Sequence, residues 1–219
     1  MTMTVRIVGA GRVGSALAAR LRERGVALLE ESAELVLLCV PDRAIPEAAA
    51  AVEPGPWVAH VSGATPLAAL EPHRKRLSVH PLQTFTLDRG PEQLDGAWAA
   101  VTAEGEEARD VGHHLARTLG LRPFDLPDDG RVLYHAAASF ASTYLVTLYR
   151  AAQSLFETVD APPEALVPLM ERTIENGFTM TGPIVRGDLA TIEAHVRAVH
   201  ERRPELEPLL RSLVAATTP

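Results

Sequence analysis

Three glycines near the start of the chain have the spacing of a phosphate-binding turn. Gly9, Gly11 and Gly14 follow the apolar run Val5–Val8 and precede a stretch rich in alanine and leucine. In such a turn the first glycine permits a tight bend, the second lets a pyrophosphate approach the backbone, and the third lets helix and strand pack closely. The N–H groups and the dipole of the following helix favour a phosphate there. The spacing predicts a dinucleotide site, whose residues in this turn are Gly9, Gly11, Arg12, Val13 and Gly14.

A hydroxyl and an imidazole fall at the ends of two further predicted strands. Ligands of a doubly wound sheet bind beyond the carboxyl ends of its strands, and Ser62 and His80 both follow such strands. The pair is suited to moving a proton while a hydride moves to or from a carbinol or imine carbon. We therefore predict His80 and Ser62 as catalytic residues. The alternative is structural: Ser62 caps the turn that follows it, and His80 hydrogen-bonds to backbone ahead of Pro81.

The nucleotide half is shortened beside its first strand. Only residues 26–34 separate the first predicted helix from the next strong strand, whereas a parallel crossover with its helix needs at least about 10–12 residues. The second strand is therefore expected only as a stub at Val26–Leu29, without its helix. Glu30 or Glu31 stands where an acidic residue would contact the adenosine ribose and favour NAD over NADP. The predicted cofactor is NAD or NADP, and its remaining binding residues are Glu30, Val40 and Pro41.

The shortened link leaves three interpretations open. The first is an NAD(P)-dependent oxidoreductase of a small carbonyl, imine or hydroxy acid, which predicts micromolar binding of NADH or NADPH. The second is a non-catalytic nucleotide-binding or sensor protein on a degenerate Rossmann scaffold, which is expected to bind neither NADH nor NADPH. The third is a purely structural dimer, which predicts no pocket at the strand ends.

The second half of the chain carries polar residues of its own. Arg186 lies in a Gly-Pro turn between predicted helices, where its guanidinium is suited to a bidentate contact with a carboxylate or phosphate. The alternative is that Arg186 and Asp188 only fix this turn. A polar stripe begins at Tyr134 and His135, and buried, satisfied hydroxyls are the alternative there. The residues predicted to bind a small-molecule substrate in the interdomain cleft are Gln83, His135, Ser142 and Arg186.

The sequence pattern changes character near residue 127. Short apolar runs alternate with helical segments before it, as in a parallel α/β sheet, and only helical patterns follow it. We predict a Rossmann-like domain over residues 1–127 and an all-α domain over residues 128–219. The stretch Ala136–Ala152 is apolar nearly all round, which indicates burial on more than one side and predicts a homodimer formed through the helical domain.

The predicted elements set the positions of these residues. Strands are expected at Val5–Val8, Leu35–Val40, Trp57–Val61, Leu77–His80, Ala97–Thr102 and Arg122–Asp125. Helices are expected at Arg12–Arg24, Ile45–Val52, Pro66–His73, Glu106–Leu119, Pro162–Asn176, Asp188–Arg203 and Pro204–Ala215, with one long helix from Arg131 to Val159.

Charge and cysteine content exclude several functions. The formal net charge of −7 argues against nucleic acid or an anionic membrane surface as the main partner. Cys39 is the only cysteine, so no intrachain disulfide or cysteine-based zinc site is expected, and no histidine and carboxylate set has metal-ligand spacing. No run is long enough to span a bilayer, and the first strand begins almost at Met1, which leaves no room for a signal peptide. The expected location is the cytoplasm.

Five motifs, in this order, carry a resemblance to a known family: Gly9–Gly14, Val40-Pro41-Asp42, His60–Gly63, His80–Phe85 and Thr181–Asp188. Over nearly its whole length the chain resembles two-domain oxidoreductases that join a Rossmann-like half to a helical domain of unknown function. These proteins are similar to the 6-phosphogluconate dehydrogenase-like superfamily, with ketopantoate and pyrroline-5-carboxylate reductases as relatives. The resemblance implies NAD(P) binding and dimerisation through the second domain.

The placement of Ser62 and His80 is also similar to that in prephenate dehydrogenases. There a serine at one strand end and the histidine of a His-Pro motif at the next handle the substrate hydroxyl. The resemblance implies that His80 is the general acid or base and Ser62 its helper. The chain departs from the family pattern in its shortened second strand and helix, and in Thr143, which follows Ser142 where asparagine is common.

Overall fold

The computed structural model describes residues 3–217, and the chain divides after Phe140 into two compact units. The first unit contains a β-sheet and helices, whereas the described part of the second contains helices and no strand. The predicted domain boundary at residue 127 comes directly after the last strand. The first compact unit also includes most of the helix that follows that strand.

One six-stranded sheet forms the centre of the first unit. Its strands, in spatial as well as sequence order, are β1 (Val5–Val8), β2 (Leu35–Leu38), β3 (Trp57–His60), β4 (Arg76–Leu82), β5 (Trp98–Ala103) and β6 (Arg122–Asp125). Neighbouring strands are parallel, except that β5 runs antiparallel to β4. The expected α/β fold class is confirmed. The antiparallel pair was not indicated by the sequence pattern, and it arises where a loop with one 3-10 turn replaces a crossover helix.

The carboxyl ends of the first three strands lie side by side. The register pairs Val8 with Leu38, and Leu38 with His60. His60 is paired in turn with Ser78, so β4 continues past the end of β3 to Leu82. Residues that follow these strands are therefore brought to one edge of the sheet, which is where ligands of such sheets bind.

Helices cover both faces of the sheet. On one face lie α1 (Arg12–Glu23) and α3 (Glu106–Thr118), around buried leucines such as Leu17 and Leu115. On the other face lies the short α2 (Ile45–Ala50), together with a second apolar cluster. All four residues of β2 are buried because the strand is covered on both sides.

The shortened crossover is confirmed. Leu28 forms an isolated parallel bridge with Val5. Two backbone hydrogen bonds support it, from Val5 N to Ala27 O and from Leu29 N to Val5 O. No helix lies between α1 and β2 in this described stretch. The second strand of an ordinary Rossmann unit is therefore reduced to a stub on the outer side of β1.

One predicted helix in the first unit is wrong. The segment Pro66–His73 contains only a 3-10 turn over Leu67–Leu70. A longer helix is excluded because Pro72 lacks the N–H group that the helical hydrogen-bond pattern would require.

The long predicted helix from Arg131 to Val159 is also different in the structure. It consists of two helices, α4 (Arg131–Ala141) and α5 (Thr143–Glu157). Ser142 lies between them at φ −128° and ψ −80°, outside the helical region. Serine and β-branched threonine compete for backbone hydrogen bonds or restrict rotamers in a helix, which accounts for a break at this point.

The second unit continues with α6 (Leu166–Glu175), α7 (Leu189–Arg202) and α8 (Glu207–Thr217). Asp188 caps α7, as its position in the sequence predicts. Its carboxylate accepts hydrogen bonds from the backbone N–H and the hydroxyl of Thr191, at 3.1 and 2.7 Å. Within residues 3–217, no helix has the length and apolar character needed to cross a membrane.

Candidate active site at the ends of the strands

The glycine turn after β1 has the tight geometry that its spacing predicts. Gly9 has a φ of +109°, and a Cβ there would lie 2.4 Å from the carbonyl oxygen of Cys39. A Cβ on Gly14 would lie 2.0 Å from the carbonyl oxygen of Gly9. Both positions therefore require glycine, the first for the bend and the other for the close packing of α1 on β1.

The middle glycine leaves the turn open. A Cβ on Gly11 would meet no atom within 4 Å, and both Gly11 and Arg12 are exposed. Gly11 is the N-cap residue of α1, and within the described residues no side chain caps the helix start. The first N–H groups of α1 are therefore available to an anion, and the space at Gly11 allows a pyrophosphate to reach them. The turn fits the phosphates of a dinucleotide.

The other predicted cofactor residues lie on either side of this turn in the sheet order. Val13 and Val40 are half-buried, and Pro41 is exposed after the end of β2. Glu30 is exposed, two residues beyond the bridge at Leu28. The stub therefore places Glu30 on the outer side of β1. Val13 lies at the start of α1, and Val40 and Pro41 follow β2.

The hydroxyl of Ser62 holds the turn that follows β3. It accepts hydrogen bonds from the backbone N–H groups of Thr65 and Ala64, at 3.0 and 3.3 Å, and donates to the Thr65 hydroxyl at 2.9 Å. No hydrogen bond joins Ser62 to His80 in the part of the chain that the structure describes. The Ser62 backbone N–H donates to Nδ1 of the buried His60 at 3.2 Å. These contacts correspond to the turn-capping alternative, and a catalytic role for Ser62 stays a prediction.

His80 is paired with a tyrosine from α4. Its Nδ1 and the hydroxyl of Tyr134 share a hydrogen bond of 2.7 Å, and the two rings meet edge to face with centroids 5.5 Å apart. His135 contacts the same imidazole, with centroids 6.2 Å apart. Burial, followed by the charges of His135 and Arg131, lowers the pKa of His80 from 6.5 to about 4. The imidazole is therefore neutral at neutral pH.

Gly63 lies against the two histidines. A Cβ at this position would fall 3.0 Å from Nε2 and Cε1 of His80 and 2.7 Å from Cδ2 of His135. Gly63 therefore lies beside the Nε2 edge of His80 and leaves no room there for a larger side chain. A side chain at position 63 would displace one imidazole or the other.

Arg131 is a functional candidate that was absent from the sequence prediction. It is 1% exposed, and its guanidinium donates to the hydroxyls of Thr102 and Ser78, at 2.7 and 3.0 Å, and to the carbonyl oxygen of Ser62. Burial lowers the pKa of Arg131. The signal that could have identified it is a charged residue at the start of a helix whose other early residues are apolar.

Tyr134 was placed in the polar stripe by the sequence but was given no chemical role. It is half-buried and also contacts Phe124, with ring centroids 6.0 Å apart. Burial raises the pKa of the Tyr134 phenol to about 12, and the charge of Arg131 opposes this effect. His135, which was predicted to bind substrate, lies beside His80 as described above.

Three further residues predicted to bind substrate stay predictions. Gln83 is exposed after β4, and its side-chain oxygen accepts from the N–H of Thr84 at 2.9 Å. Ser142 and Arg186 belong to the second unit, the first at the break before α5 and the second exposed in the turn before α7. The structure therefore brings His135 to His80, and gives no such contact for Gln83.

Residues 97–217 match a family described as Domain of unknown function (DUF2520), and this match covers more than half of the chain. The chain belongs to the DUF2520 family. The resemblance to two-domain proteins with a helical domain of unknown function is thereby confirmed. A comparison with curated proteins finds no match.

The fold of this DUF2520 protein is shared with solved structures. BF3122 of Bacteroides fragilis, described as a candidate NADP oxidoreductase, is 23% identical with a TM-score of 0.80, over 98% of this chain and 97% of that one. TM1727 of Thermotoga maritima is 23% identical with a TM-score of 0.74, over 97% and 99%. A reductive aminase of Aspergillus terreus, in complex with NADPH and ethyl levulinate, is 15% identical with a TM-score of 0.71, over 99% and 93%. At these identities the likeness establishes the fold.

Proposed function

We propose that this DUF2520 protein is an NAD(P)-dependent oxidoreductase that acts on a small carbonyl, imine or hydroxy acid. The observation that carries the proposal is that a phosphate-binding turn and a proton-transfer pair both lie at the carboxyl ends of the strands. The open glycine turn follows β1, and the imidazole of His80 lies near the end of β4 with Tyr134 bonded to it. These are the two abilities that such a reaction needs, holding a dinucleotide and moving a proton.

The residues of the glycine turn would hold the cofactor through its phosphates. Gly9 and Gly14 shape the turn, and the N–H groups that begin at Gly11 bind the anion. When bound, the nicotinamide supplies or accepts the hydride. The solved structures named for NADP or containing NADPH support this cofactor class. Glu30, beyond the stub, would repel a 2′-phosphate and so favours NAD.

His80 is the group through which a proton moves. Its neutral imidazole carries a hydrogen on one nitrogen and a lone pair on the other, so it can pass a proton in either direction. The hydrogen bond to Tyr134 holds the ring in place. Ser62 assists by fixing the turn that carries Gly63, which lies against the imidazole.

The finer substrate assignments are also proposals. His135 has the best support among them because it lies beside His80. Gln83, Ser142 and Arg186, the last as the ligand of an anionic group, stay predictions from the sequence, as does a substrate site in an interdomain cleft.

A second copy of the chain is proposed to cover the apolar helix surfaces. Leu145, Val167 and Leu169, on α5 and α6, are 38%, 43% and 61% exposed. Exposed apolar patches of this kind mark interaction surfaces, and a homodimer through the helices would bury them. Light scattering at micromolar concentration should give a dimer mass, and a monomer mass alone would contradict the dimer.

Calorimetric titration with NADH and with NADPH tests the proposed function. The wild-type protein should bind one of them with micromolar affinity. Gly11→Asp places a carboxylate in the open space where the pyrophosphate would lie, and should weaken binding by about tenfold or more. Ala190→Asp adds the same charge at an exposed position of α7 and serves as the control. A wild-type protein that binds neither nucleotide would favour the non-catalytic interpretation instead.

A further inference from the structure

We propose that the phenol of Tyr134 is the catalytic residue that gives its proton to the substrate, and that His80 acts behind it as a positioning residue. This inference rests on the proposed oxidoreductase function. It assigns the direct contact with the reacting atoms to a residue of α4 rather than to the imidazole.

The hydrogen bond between the two side chains sets their order. Nδ1 of His80 is 2.7 Å from the Tyr134 oxygen and is therefore already bonded. A phenol oxygen can both accept and donate a hydrogen bond. When Nδ1–H of His80 donates to this oxygen, the phenol hydrogen is left to point elsewhere, toward a substrate.

The other nitrogen of His80 lies beside Gly63 and the ring of His135. Gly63 lies so close that a Cβ there would be 3.0 Å from Nε2, and His135 lies beside it. Tyr134 is half-buried and its ring also contacts Phe124, so the ring is held in place without being fully enclosed. The phenol is therefore the better placed of the two groups to meet a reacting oxygen or nitrogen.

The protonation states of His80 and Tyr134 also favour the Tyr134 phenol as the acid. Reduction of a carbonyl needs an acid, and the neutral His80, with a pKa of about 4, offers no imidazolium at neutral pH. The Tyr134 phenol keeps its proton, since burial raises its pKa to about 12. The charge of Arg131 opposes that rise, so it stabilises negative charge on the phenol oxygen as the proton leaves. The charged groups that shift the pKa of His80 are His135 and Arg131, which lower it, and Asp42, which raises it.

The proton and electron balance of the reduction is complete. A bound reduced nicotinamide would supply a hydride, with its two electrons, to the substrate carbon as the π bond of the carbonyl or imine breaks. The O–H bond of Tyr134 breaks as the substrate oxygen or nitrogen takes the proton. The Nδ1 proton of His80 moves to the phenol oxygen, and Nε2 takes from the buffered solvent the one proton that the reduction consumes. His80 returns to its first tautomer by proton exchange with water.

The tautomer of His80 provides a test that needs no turnover. Long-range 15N–1H spectra of the labelled protein distinguish Nδ1–H from Nε2–H, with His80→Asn used to assign the signal. The wild-type protein should show the Nδ1–H tautomer, and Tyr134→Phe should lose this preference. An Nε2–H tautomer in the wild-type protein overturns the proposal, because the phenol would then donate its hydrogen to Nδ1 and not to a substrate.

Kinetics provide the second test, with 2-methyl-1-pyrroline and 2-oxobutanoate as probe substrates. Tyr134→Phe should lower kcat by about 100-fold, because a general acid contributes at least that much, with KM changed by less than about threefold. Tyr149→Phe, a half-buried tyrosine of α5, is the matched control. His80→Asn should retain more activity than His80→Ala, since an amide N–H can still donate to the phenol oxygen.

The opposite kinetic pattern assigns the chemistry to His80. If Tyr134→Phe keeps the wild-type rate while His80→Asn and His80→Ala are equally inactive, the imidazole contacts the substrate directly and the proposal is wrong. If the protein binds NADH or NADPH but reduces neither probe, the His80 tautomer in the 15N spectrum alone decides whether the proposal holds. Failure of the proposed function itself is a separate result, namely no binding of either nucleotide in the titration.

Discussion

The guanidinium of Arg131 donates a hydrogen bond to the carbonyl oxygen of Ser62, in a position where Arg131 is only 1% exposed. Two further bonds go to the hydroxyls of Ser78 and Thr102. The ion pair with Asp128 is long, at 3.9 Å. One buried cation thus joins the segment after β3 to β4 and β5 through neutral oxygens, and fixes the start of α4 against them.

Arg131→Met should destabilise the protein. The substitution fills similar space but leaves three buried oxygens without this donor, so we expect the free energy of unfolding to fall by about 2–4 kcal/mol. Urea denaturation measures the change. Arg150→Met, at an exposed position of α5, should change stability by less than about 0.5 kcal/mol. Wild-type stability in Arg131→Met would mean that desolvation of the cation cancels the bonds it makes.

Ser62→Ala separates the two roles considered for this residue. The Ser62 hydroxyl caps a turn, so its loss should lower the free energy of unfolding by about 1–2 kcal/mol and lower turnover much less than Tyr134→Phe. Ser212→Ala, whose exposed hydroxyl bonds within its own helix, is the control. Unchanged stability with a loss of turnover near 100-fold would instead support the catalytic role predicted from the sequence.

The sequence predicted the features that depend on neighbours along the chain. The glycine turn, the strands and the stub at Leu28 follow from local spacing, apolar runs and the length of one link. The helix predicted for Pro66–His73 is wrong because apolar spacing alone indicates a helix there, whereas Pro72 prevents one. The break at Ser142 carries no proline or glycine, so the apolar pattern around it favoured one continuous helix.

The parts that the sequence could not predict depend on how α4 meets the sheet. A sequence places Tyr134 and Arg131 on one helix, but it does not say that they reach His80 and Ser78 on β4. Nor does local pattern distinguish a buried arginine from a solvated one at a helix start. Only the register of β4 against β5 and the position of α4 above them determine which polar groups meet.

Stability should fall as the pH is lowered from neutral. Folding lowers the pKa of His60 from 6.5 to about 3 and that of His80 to about 4, in both cases mainly through burial. Below pH 6.5 the unfolded chain therefore binds more protons than the folded one, so stability is fully present above this pH and is lost toward pH 4.

The free energy of unfolding at about pH 7, 5.5 and 4.5 measures this dependence. His60→Asn keeps an acceptor for the N–H of Ser62 and removes one titrating group, so its stability should depend less on pH. His114→Asn, on the exposed side of α3, should leave the slope unchanged. Equal slopes in His60→Asn and the wild type would contradict the buried, neutral state of His60.

Gly14→Ala should reduce the stability of the fold, whereas Gly11→Ala should reduce only nucleotide binding. The methyl group at position 14 would meet the backbone oxygen of Gly9, which cannot move aside, so we expect a loss of about 3 kcal/mol or more in the free energy of unfolding. The methyl group at position 11 meets open space, so the fold should keep its stability while nucleotide binding weakens. Denaturation and calorimetry distinguish the two, and a destabilised Gly11→Ala would contradict an open turn.

Gly63→Ala tests the packing of the two histidines. The new methyl group would lie 2.7 Å from Cδ2 of His135 and 3.0 Å from Nε2 of His80. His80 is held by its hydrogen bond to Tyr134, whereas His135 is exposed, so we expect His135 to move. We expect the free energy of unfolding to fall by about 1–2 kcal/mol, as in other overpacked sites.

A double-mutant cycle with His135→Ala measures whether this clash is the cause. Removing the His135 ring gives the methyl group room, so the double variant should regain most of the stability that Gly63→Ala loses, with a coupling energy of about 0.5–3 kcal/mol. Additive effects would place the strain at His80 instead, because its ring remains in both variants. In that case the Tyr134 hydrogen bond would also be disturbed, and the His80 tautomer in the 15N spectrum would change with Gly63→Ala alone.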